Sequence, residues 1–334
     1  MEKLRLGIVG LGWVSQVFHL PLLKKFDDVE IVAVCDRDKS RVKMIAERFG
    51  IARHFHDYQQ MLSQVEMDAI DVCTSTDAHL PITIAALEAG KNVFVEKPIA
   101  RHHSEAVQMA DAAKQHKRHL MVGMNNRFRP DTMILKSFIE NGELGKIFYV
   151  KAGWVKKLAK NNPWITQKDK SGGGVFLDLG IVMLDLVLWM LDFPPVERVS
   201  AKMYRHKTKN VEDSSIVFIE MKYGIAVIIE VSWSLHAVQD SFYAEFYGSE
   251  GSAMINPLRI HKQLHGNLVN VTPAKSETPI NLFKKSYESE LKHFVGAARG
   301  LHTVISTGEE AVLRMKIVEA IYRSAQKGKE ISIK

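Results

Sequence analysis

The chain has 334 residues, of which 46% are hydrophobic and 25% are charged. At about 150 residues per domain this length predicts two domains, and the composition excludes a disordered or low-complexity protein. The 45 Lys and Arg exceed the 38 Asp and Glu, which gives a net charge of +7. Because most of the basic residues are dispersed along the chain, we expect no nucleic-acid surface.

The distribution of apolar residues and cysteines indicates the cellular compartment in which we expect the protein. The most apolar segment, residues 175–191, is interrupted by Asp178 and Asp185, so we expect no membrane span. Residues 1–5 run straight into an apolar strand, without the pattern of a signal peptide. The two cysteines, Cys35 and Cys73, lie in apolar runs and predict neither a disulfide nor a metal centre. We therefore expect a reduced, cytoplasmic protein.

The first 125 residues alternate β-branched runs with helical patterns. Strands are predicted at residues 4–9, 30–35, 69–74, 92–95 and 119–123. Helices are predicted at residues 39–49, 80–88 and 104–117. This alternation predicts an α/β domain over residues 1–125, with a doubly wound parallel sheet of Rossmann type.

The remaining residues, 126–334, have a different pattern. Strands are predicted at residues 143–154, 199–205, 214–222, 225–234 and 241–248, several of them separated by only a turn. Two helical stretches follow, at residues 287–299 and 309–327. Closely spaced strands favour hairpins, so we expect a second, α+β domain with a large, mostly antiparallel open sheet.

A glycine-rich turn follows the first predicted strand and precedes a helical pattern, which is typical of a dinucleotide site. Gly10 allows the tight turn, Gly12 lets the backbone approach a pyrophosphate, and Ser15 stands at the third, small position. Asp36, 24 residues after Gly12, ends the second strand and is suited to bind a ribose diol. The carboxylate favours NAD, whereas Arg37 can stack on adenine or pair with a 2′-phosphate, which leaves NADP open.

Several longer motifs resemble those of one oxidoreductase family. They are the glycine turn, Cys-Thr-Ser-Thr-Asp-Ala-His at residues 73–79, Glu-Ala-Gly-Lys-Asn-Val-Phe-Val-Glu-Lys-Pro at 88–98, Asn-Arg-Phe-Arg-Pro at 126–130, Ser-Gly-Gly-Gly at 171–174 and Ala-Ile-Tyr-Arg-Ser-Ala at 320–325. With these motifs the chain resembles, over nearly its whole length, the family of glucose–fructose oxidoreductase, inositol dehydrogenase and the rhizopine-catabolism proteins (Gfo/Idh/MocA).

The resemblance implies an NAD(P)-dependent enzyme that transfers hydride between nicotinamide and a secondary alcohol of a sugar, polyol or sugar acid. It implies a homodimer or homotetramer formed through the C-terminal sheet. The implied cofactor contacts include Glu96 at the nicotinamide ribose and Trp164 from the second domain. The full set of implied cofactor residues is Gly10, Leu11, Gly12, Trp13, Val14, Asp36, Arg37, Thr74, Ser75, Thr76, His79, Glu96, Lys97, Arg127 and Trp164. The implied substrate residues are Lys97, Trp154, Lys156, Asp178 and Val182.

Lys97 and Asp178 are the expected catalytic residues. Hydride leaves a carbinol carbon only as the hydroxyl proton departs, so a base must lie within hydrogen-bond reach. A free lysine is a poor base near neutral pH, but burial and a neighbouring cationic nicotinamide both favour the neutral amine. The family resemblance places the lysine of the Glu-Lys-Pro motif, here Lys97, in that role.

The chain departs from the family pattern four residues after Asp178, where relatives carry a histidine and this chain has Val182. Three alternatives follow. Lys97 exchanges the proton alone, with Asp178 orienting it and Val182 keeping the pocket dry; His236 or Tyr243 substitutes; or the protein is a sensor that binds NAD(P) without turnover. A further rival is transient oxidation that assists a lyase or glycosidase reaction. Asp178 also suits a helix N-cap, since it follows glycines and precedes an apolar run.

Six lysines lie within 20 residues that contain one acid, Asp169. They are Lys151, Lys156, Lys157, Lys160, Lys168 and Lys170. Ammonium groups at a pocket mouth favour an anionic substrate, and Lys156, Lys157 or Lys160 is the expected partner of that anion. The alternative is a solvated surface segment without a binding role.

Overall fold

The computed structural model describes residues 2–157, 163–234, 239–274 and 278–333. The fold divides into two compact units. The first contains Met1–Asn125 and Tyr287–Leu313, and the second contains Asn126–Ser286 and Arg314–Lys334.

The first unit is built on a parallel six-stranded sheet in the order β3-β2-β1-β4-β5-β6. Its strands are β1 Leu4–Val9, β2 Val29–Cys35, β3 His54–Phe55, β4 Ala69–Val72, β5 Asn92–Val95 and β6 Leu120–Val122. Its helices are α1 Leu20–Leu23, α2 Lys39–Phe49, α3 Tyr58–Gln64, α4 His79–Glu88 and α5 His103–His116. This strand order is that of a Rossmann fold, which confirms the predicted fold class. The strand order reverses between β1 and β4, where such sheets bind their ligands.

A segment near the C-terminus returns to the first unit, although the sequence prediction assigned residues 126–334 to a single second domain. Aromatic packing explains the return of Tyr287–Leu313. The Tyr287 ring stacks on Phe18 with centroids 4.3 Å apart, and Phe294 meets Phe94 edge to face at 5.5 Å. The amide of Val122, in β6, donates to the carbonyl of Ser306 at 2.9 Å. These contacts join residues far apart in sequence, which local patterns do not reveal.

The second unit contains a nine-stranded sheet in the order β14-β13-β12-β11-β7-β10-β9-β8-β15. Its strands are β7 Ile147–Val155, β8 Val196–Tyr204, β9 Ser214–Met221, β10 Ile225–Ser232, β11 Ser241–Gly248, β12 Gly251–Ile255, β13 Arg259–Leu264, β14 Asn267–Asn270 and β15 Ile331–Ser332. All pairings are antiparallel except that of β7 with β10. The predicted mostly antiparallel sheet is therefore confirmed.

Helices α6 Pro130–Glu140, α7 Lys168–Ser171 and α8 Ile181–Met190 belong to the second unit, whereas α9 Pro279–Ala298 and α10 Gly308–Lys327 contribute residues to both units. The helical stretch Lys168–Met190 is long and apolar enough to span a membrane by length and composition alone. However, 89% of its most apolar window is buried within the fold. A core helix packed on both sides has the same composition as a membrane span, so burial accounts for the apolar sequence.

Helix α8 carries one buried charge, Asp185, within its apolar surroundings. Its carboxylate accepts two hydrogen bonds from Arg127, at 2.6 and 2.9 Å, and lies 2.7 Å from a guanidinium nitrogen of Arg314. All three side chains are at most 2% exposed, and Arg127 also lies over the Phe193 ring at 5.3 Å. Asp185 thus neutralises two buried cations that come from distant parts of the chain.

Asp185→Asn removes this charge without changing side-chain size. Breaking a buried ion pair costs about 3–5 kcal/mol, so we expect a loss of that order in the free energy of unfolding, measured by urea denaturation. The control is Asp192→Asn, because Asp192 is exposed and its positive φ of 61° is one that asparagine tolerates. Equal, small effects of both substitutions would contradict the assigned role of Asp185.

Candidate active site

The glycine turn after β1 has the geometry of a dinucleotide cradle. Gly10 has a φ of +91°, and an added Cβ there would lie 2.6 Å from the backbone of Cys73, so only glycine fits. Gly12 has no atom within 4 Å of its would-be Cβ, which leaves open space over the backbone for a pyrophosphate. Ser15, at the third position, is fully buried and preserves close packing. The residues present therefore fit a dinucleotide, with Trp13 beside the turn and 61% exposed.

Asp36 organises the end of β2. Its carboxylate accepts hydrogen bonds from the amide of Leu11 at 2.8 Å and from the amide of Asp38 at 2.9 Å. It thereby ties the glycine turn to the second strand, where a ribose-binding carboxylate is expected. The guanidinium of Arg41 lies 3.3 Å from Asp36, a neighbour that sequence analysis missed, whereas Arg37 is exposed.

The loop after β4 contains the four predicted cofactor residues Thr74, Ser75, Thr76 and His79. Thr74 and Ser75 are half-buried, whereas Thr76 and His79 are each 1% exposed. The His79 ring lies between two carbonyl oxygens, that of Pro98 at 2.9 Å and that of Thr74 at 3.2 Å. Burial lowers the pKa of His79. His79 therefore links this loop to the one after β5, a role that its motif alone did not indicate.

Glu96 and Lys97 follow β5 at the same edge of the sheet. Lys97 is half-buried, and the Lys97–Pro98 peptide bond is cis. The Glu96 carboxylate turns into the domain: one oxygen accepts the Lys97 amide at 3.1 Å and the other lies 3.1 Å from Nε2 of His19. Although burial opposes ionisation, the hydrogen bond and charge of His19 hold the pKa of Glu96 below its usual value. The carboxylate expected at the nicotinamide ribose thus has buried partners of its own.

His19 is a site residue that sequence analysis missed. The helix after the glycine turn begins as a π-turn, Ser15–His19, before α1. This wider turn ends with the His19 ring fully buried, 2.7 Å from the carboxylate of Asp71 in β4. The available signal was a histidine in an otherwise apolar helix, which is not specific to any function.

In the second unit, Gly173 and Gly174 of the triple glycine pack closely against Tyr322 and the buried residue Glu212. The amides of Gly174 and Phe176 donate to Glu212 at 3.0 Å, and Tyr322 donates through its hydroxyl at 2.6 Å. A Cβ at Gly174 would collide with the Glu212 backbone, and one at Gly173 with the Tyr322 hydroxyl. Burial raises the pKa of Glu212 despite these donors. Two of the family motifs therefore meet at Glu212, which anchors the start of the helix that carries Asp178.

Asp178 lies inside a π-turn, Phe176–Gly180, and not at a helix N-cap, so the capping alternative is wrong. Its half-buried carboxylate accepts a hydrogen bond from the indole N–H of Trp233 at 3.2 Å. Val182, four residues on, is 4% exposed and lies in the apolar surface of α8. Trp233 was missed because its contact with Asp178 spans 55 residues of sequence.

The ring of Trp154 packs edge to face on Phe242 in the adjacent strand, with centroids 5.2 Å apart. Successive residues of a strand point to opposite faces, so Tyr243 projects to the other side of the sheet from Phe242. There it donates a hydrogen bond to Glu230. Tyr243 therefore lies on the opposite face of the sheet from Trp154, one of the predicted substrate residues. The other proposed substitute, His236, lies outside the described residues.

Two lysines of the predicted basic segment, Lys151 and Lys156, lie against opposite faces of the sheet. Lys151 lies over the Tyr149 ring and Lys156 over the Trp154 ring, each at 5.6 Å. Because Tyr149 and Trp154 point to opposite faces of β7, these lysines do not form one cluster. Lys160 lies outside the described residues.

Two predicted cofactor residues lie in the second unit. Arg127 is buried in the ion pair with Asp185 described above, and its contact with the cofactor stays a prediction. Trp164 lies in a 3₁₀ turn, Pro163–Thr166, and is half-buried.

Comparisons with known proteins agree with this geometry. Residues 4–124 match the oxidoreductase family with an NAD-binding Rossmann fold (Gfo/Idh/MocA), and residues 136–333 match the C-terminal alpha/beta domain of that family. The chain is 30% identical to D-glucoside 3-dehydrogenase of Escherichia coli (strain K12), over 99% of this chain and 98% of that protein. It is 27% identical to the scyllo-inositol 2-dehydrogenase (NAD(+)) of Bacillus subtilis (strain 168), over 99% and 97% of the two chains.

Among solved structures, GenD2 from gentamicin A biosynthesis in complex with NAD superposes with a TM-score of 0.88. It is 26% identical to this chain, and the match covers 100% of this chain and 97% of GenD2. The predicted fold, oxidoreductase class and cofactor are thereby confirmed. The chain belongs to the Gfo/Idh/MocA family of oxidoreductases, and its cofactor is NAD.

Proposed function

We propose that this oxidoreductase oxidises a ring secondary alcohol of a sugar, polyol or sugar acid, with Lys97 as the group that takes the hydroxyl proton. The observation that carries the proposal is the position of Lys97 at the carboxyl end of β5, at the sheet edge that also carries the glycine turn and Asp36. The relatives named for glucoside and inositol dehydrogenation support this substrate class.

Bound NAD would supply the acceptor for the hydride that leaves the carbon bearing the hydroxyl group. The turn at Gly10 and Gly12 would hold its pyrophosphate, and Asp36 would bind the adenine-side ribose. Lys97 receives the hydroxyl proton on its amine, because hydride departs only as the alcohol loses that proton. Its backbone is held by Glu96, which accepts the Lys97 amide at 3.1 Å.

We propose that Asp178 orients the reacting groups. The Trp233 indole fixes one carboxylate oxygen of Asp178, and a half-buried side chain leaves the carboxylate accessible to a hydroxyl group. Val182, which is 4% exposed, supplies an apolar side chain where relatives carry histidine. In this arrangement no second side chain is needed to accept the proton.

Val182 also favours the second candidate, an NAD-binding sensor without turnover, because valine carries no proton. The two functions differ in their dependence on Lys97. An enzyme requires its amine at every turnover, whereas a sensor requires only the binding of cofactor and ligand. Oxidation that assists a lyase or glycosidase reaction would instead release a cleaved product without net NADH.

The substitution Lys97→Met tests the enzyme directly. A general base contributes about 10²–10⁴ to the rate, so we expect kcat on neutral and acidic sugars to fall at least about a hundredfold. NADH affinity, measured by fluorescence titration, should remain within about threefold, because the glycine turn is unchanged. The control is Lys114→Met, an exposed lysine of α5. Equal turnover by Lys97→Met and the wild-type enzyme would overturn the proposal.

We further propose that the substrate carries an anionic group that Lys156 binds. The Lys156 ammonium lies over the Trp154 ring at 5.6 Å, so a cation stands beside an aromatic surface suited to a sugar ring. A lysine also lies over an aromatic ring in the turn between β9 and β10, where Lys222 is 5.8 Å from the Tyr223 ring.

Lys156→Met should raise KM for an acidic sugar about tenfold, because one charge-assisted contact is lost, and leave KM for a neutral sugar unchanged. Lys222→Met provides the control, with the same type of cation–π contact at the other end of β10. A high salt concentration should reproduce the selective effect on the acidic sugar. An equal change in KM for both sugars in Lys156→Met would show that Lys156 does not select an anion.

We propose that the open face of the nine-stranded sheet joins two copies of the chain. Ile216 and Phe218 of β9 are 51% and 38% exposed, although their neighbours Val217 and Ile219 are buried. Ile228 of the adjacent strand β10 lies opposite Phe218 and extends this apolar patch. An uncovered apolar sheet face of this kind is typical of a protein–protein interface.

Phe218→Glu should convert the oligomer into a 37.8 kDa monomer in sedimentation velocity, since a charge on an apolar interface is costly. Ile280→Glu, an 82% exposed position outside the sheet, should leave the oligomer intact. A wild-type protein that sediments as a monomer at micromolar concentration would contradict the proposed interface.

A further inference from the structure

A buried group of ionisable side chains underlies the loop that carries Lys97. Nδ1 of His19 lies 2.7 Å from Asp71 and 3.2 Å from the thiol of Cys73, and Nε2 lies 3.1 Å from Glu96. The other Glu96 oxygen accepts the Lys97 amide at 3.1 Å. A continuous chain of hydrogen bonds thus runs from β4 through His19 to the backbone of Lys97.

Both nitrogens of the His19 ring face carboxylates. A neutral imidazole donates from only one nitrogen, so it would leave the other lone pair against a carboxylate oxygen. An imidazolium donates from both and satisfies Asp71 and Glu96 together. Burial disfavours this charge, but Asp71 and the other partners raise the pKa of His19 well above its usual value.

Protonation of the His19 ring places a positive charge against the two buried carboxylates that contact it. The groups that face it are Asp71 of β4, Cys73 after β4, Glu96 and Lys97 after β5, and Tyr287 and Glu290 of α9. Burial raises the pKa values of Cys73, Tyr287 and Glu290 well above their usual ranges, which keeps all three neutral. The imidazolium is therefore the counter-ion of two buried carboxylates.

A metal ion bound by His19, Asp71 and Cys73 explains the distances less well. The atoms of these side chains lie within 4.8 Å of one another. Zinc bonds of about 2.0 Å in a tetrahedral site hold nitrogen and oxygen ligands about 3.3 Å apart. The 2.7 Å between Nδ1 and the Asp71 oxygen has room for a shared proton only.

We propose that His19 is a positioning residue whose buried imidazolium orients Glu96 and, through the Lys97 amide, fixes the backbone of the proton-accepting lysine. This inference rests on the proposed role of Lys97. The cation holds one Glu96 oxygen so that the other faces the Lys97 amide. Without that cation, Glu96 is a buried carboxylate with one partner removed, and the loop loses its anchor.

The protonation state of His19 is measurable without turnover. In protein labelled with ¹⁵N-histidine, the spectrum of His19→Gln identifies the His19 signals among the 14 histidines. We expect the wild-type His19 nitrogens to keep imidazolium chemical shifts from pH 6 to pH 8. Asp71→Asn removes the nearer carboxylate, so the same titration should move to lower pH. A neutral His19 ring at pH 7 in the wild-type protein would overturn the proposal.

Kinetic measurements on His19 variants distinguish a role in positioning Lys97 from a role in fold stability alone. His19→Ala should lower kcat about tenfold to a hundredfold, since a displacement of about 1 Å can cost a hundredfold in rate, and should leave the KM for NAD within about threefold. His19→Gln retains a donor toward Glu96, so it should recover most of the lost kcat. Equal kcat values for His19→Gln and His19→Ala, with both variants folded by circular dichroism, would contradict positioning through Glu96.

The pH dependence has a defined sign. Because the pKa of His19 is raised in the folded protein, its contribution is complete below the ordinary histidine pKa of about 6.5 and is lost as the pH rises through the raised value. Wild-type thermal stability should therefore decrease at alkaline pH, with a smaller decrease in His19→Gln, whose amide does not titrate. An identical alkaline decrease in both proteins would count against the imidazolium.

The outcomes distinguish this inference from the proposed function. If Lys97→Met remains active while His19 keeps imidazolium chemical shifts, the proposed role of Lys97 is wrong and the protonated His19 ring is confirmed. If Lys97→Met is inactive while His19 is neutral at pH 7, the proposed dehydrogenase mechanism is confirmed and the positioning role of His19 is wrong. The NMR titration follows wild-type protein, and the shifted titration in Asp71→Asn identifies the His19 signals independently if His19→Gln does not fold.

Discussion

The alignment of six parallel strands in the first unit determines where the cofactor side of the site can form. Parallel strands end at one edge, so the glycine turn after β1, Asp36 after β2, the loop after β4 and Glu96–Lys97 after β5 are brought together by topology. Each of these segments directly follows its own strand in the sequence. Their assembly needs no contact more specific than the register of the sheet.

Hydrogen bonds to buried charged or ionisable groups then fix the loops that the sheet brings together. Glu96 holds the Lys97 amide, Asp36 holds the glycine turn, and Glu212 holds the start of the helix that carries Asp178. A buried carboxylate is costly unless donors satisfy it, so each of these groups accepts only a narrow range of backbone geometries. The same chemistry that makes these groups expensive to bury makes them effective anchors for flexible segments.

Sequence patterns predicted the parts of this structure that depend on local order. The bounds of β1, α2 and β11 agree with the predicted ranges because periodicity and turn residues within each segment specify them. The return of Tyr287–Leu313 to the first unit was not predicted, because it depends on aromatic contacts with residues about 200 or more positions away. The short strands β12–β15 also gave too little pattern to detect.

In the candidate site, too, the sequence revealed local motifs but not the contacts between distant residues. The Glu-Lys-Pro motif predicted Lys97, but nothing in the sequence linked it to His19, whose burial follows from a π-turn, or linked Asp178 to Trp233. The position of Tyr243 on the other face of the sheet from Trp154 follows from strand alternation only once the pairing of Phe242 with Trp154 is known. Val182 remains the feature that most separates this chain from the family pattern, because it leaves Lys97 as the proton acceptor in our account.

The central claim is that this protein moves a hydride from a ring carbon of a sugar to NAD. The direct measurement is a single turnover with excess enzyme, NAD and a panel of neutral and acidic sugars deuterated at the ring carbons, analysed by mass spectrometry of the cofactor. The account predicts reduced cofactor that is one mass unit heavier with at least one sugar, and none with Lys97→Met. A cofactor that binds yet stays oxidised with every sugar, while bound sugars protect the protein from thermal unfolding, would contradict it and favour the sensor.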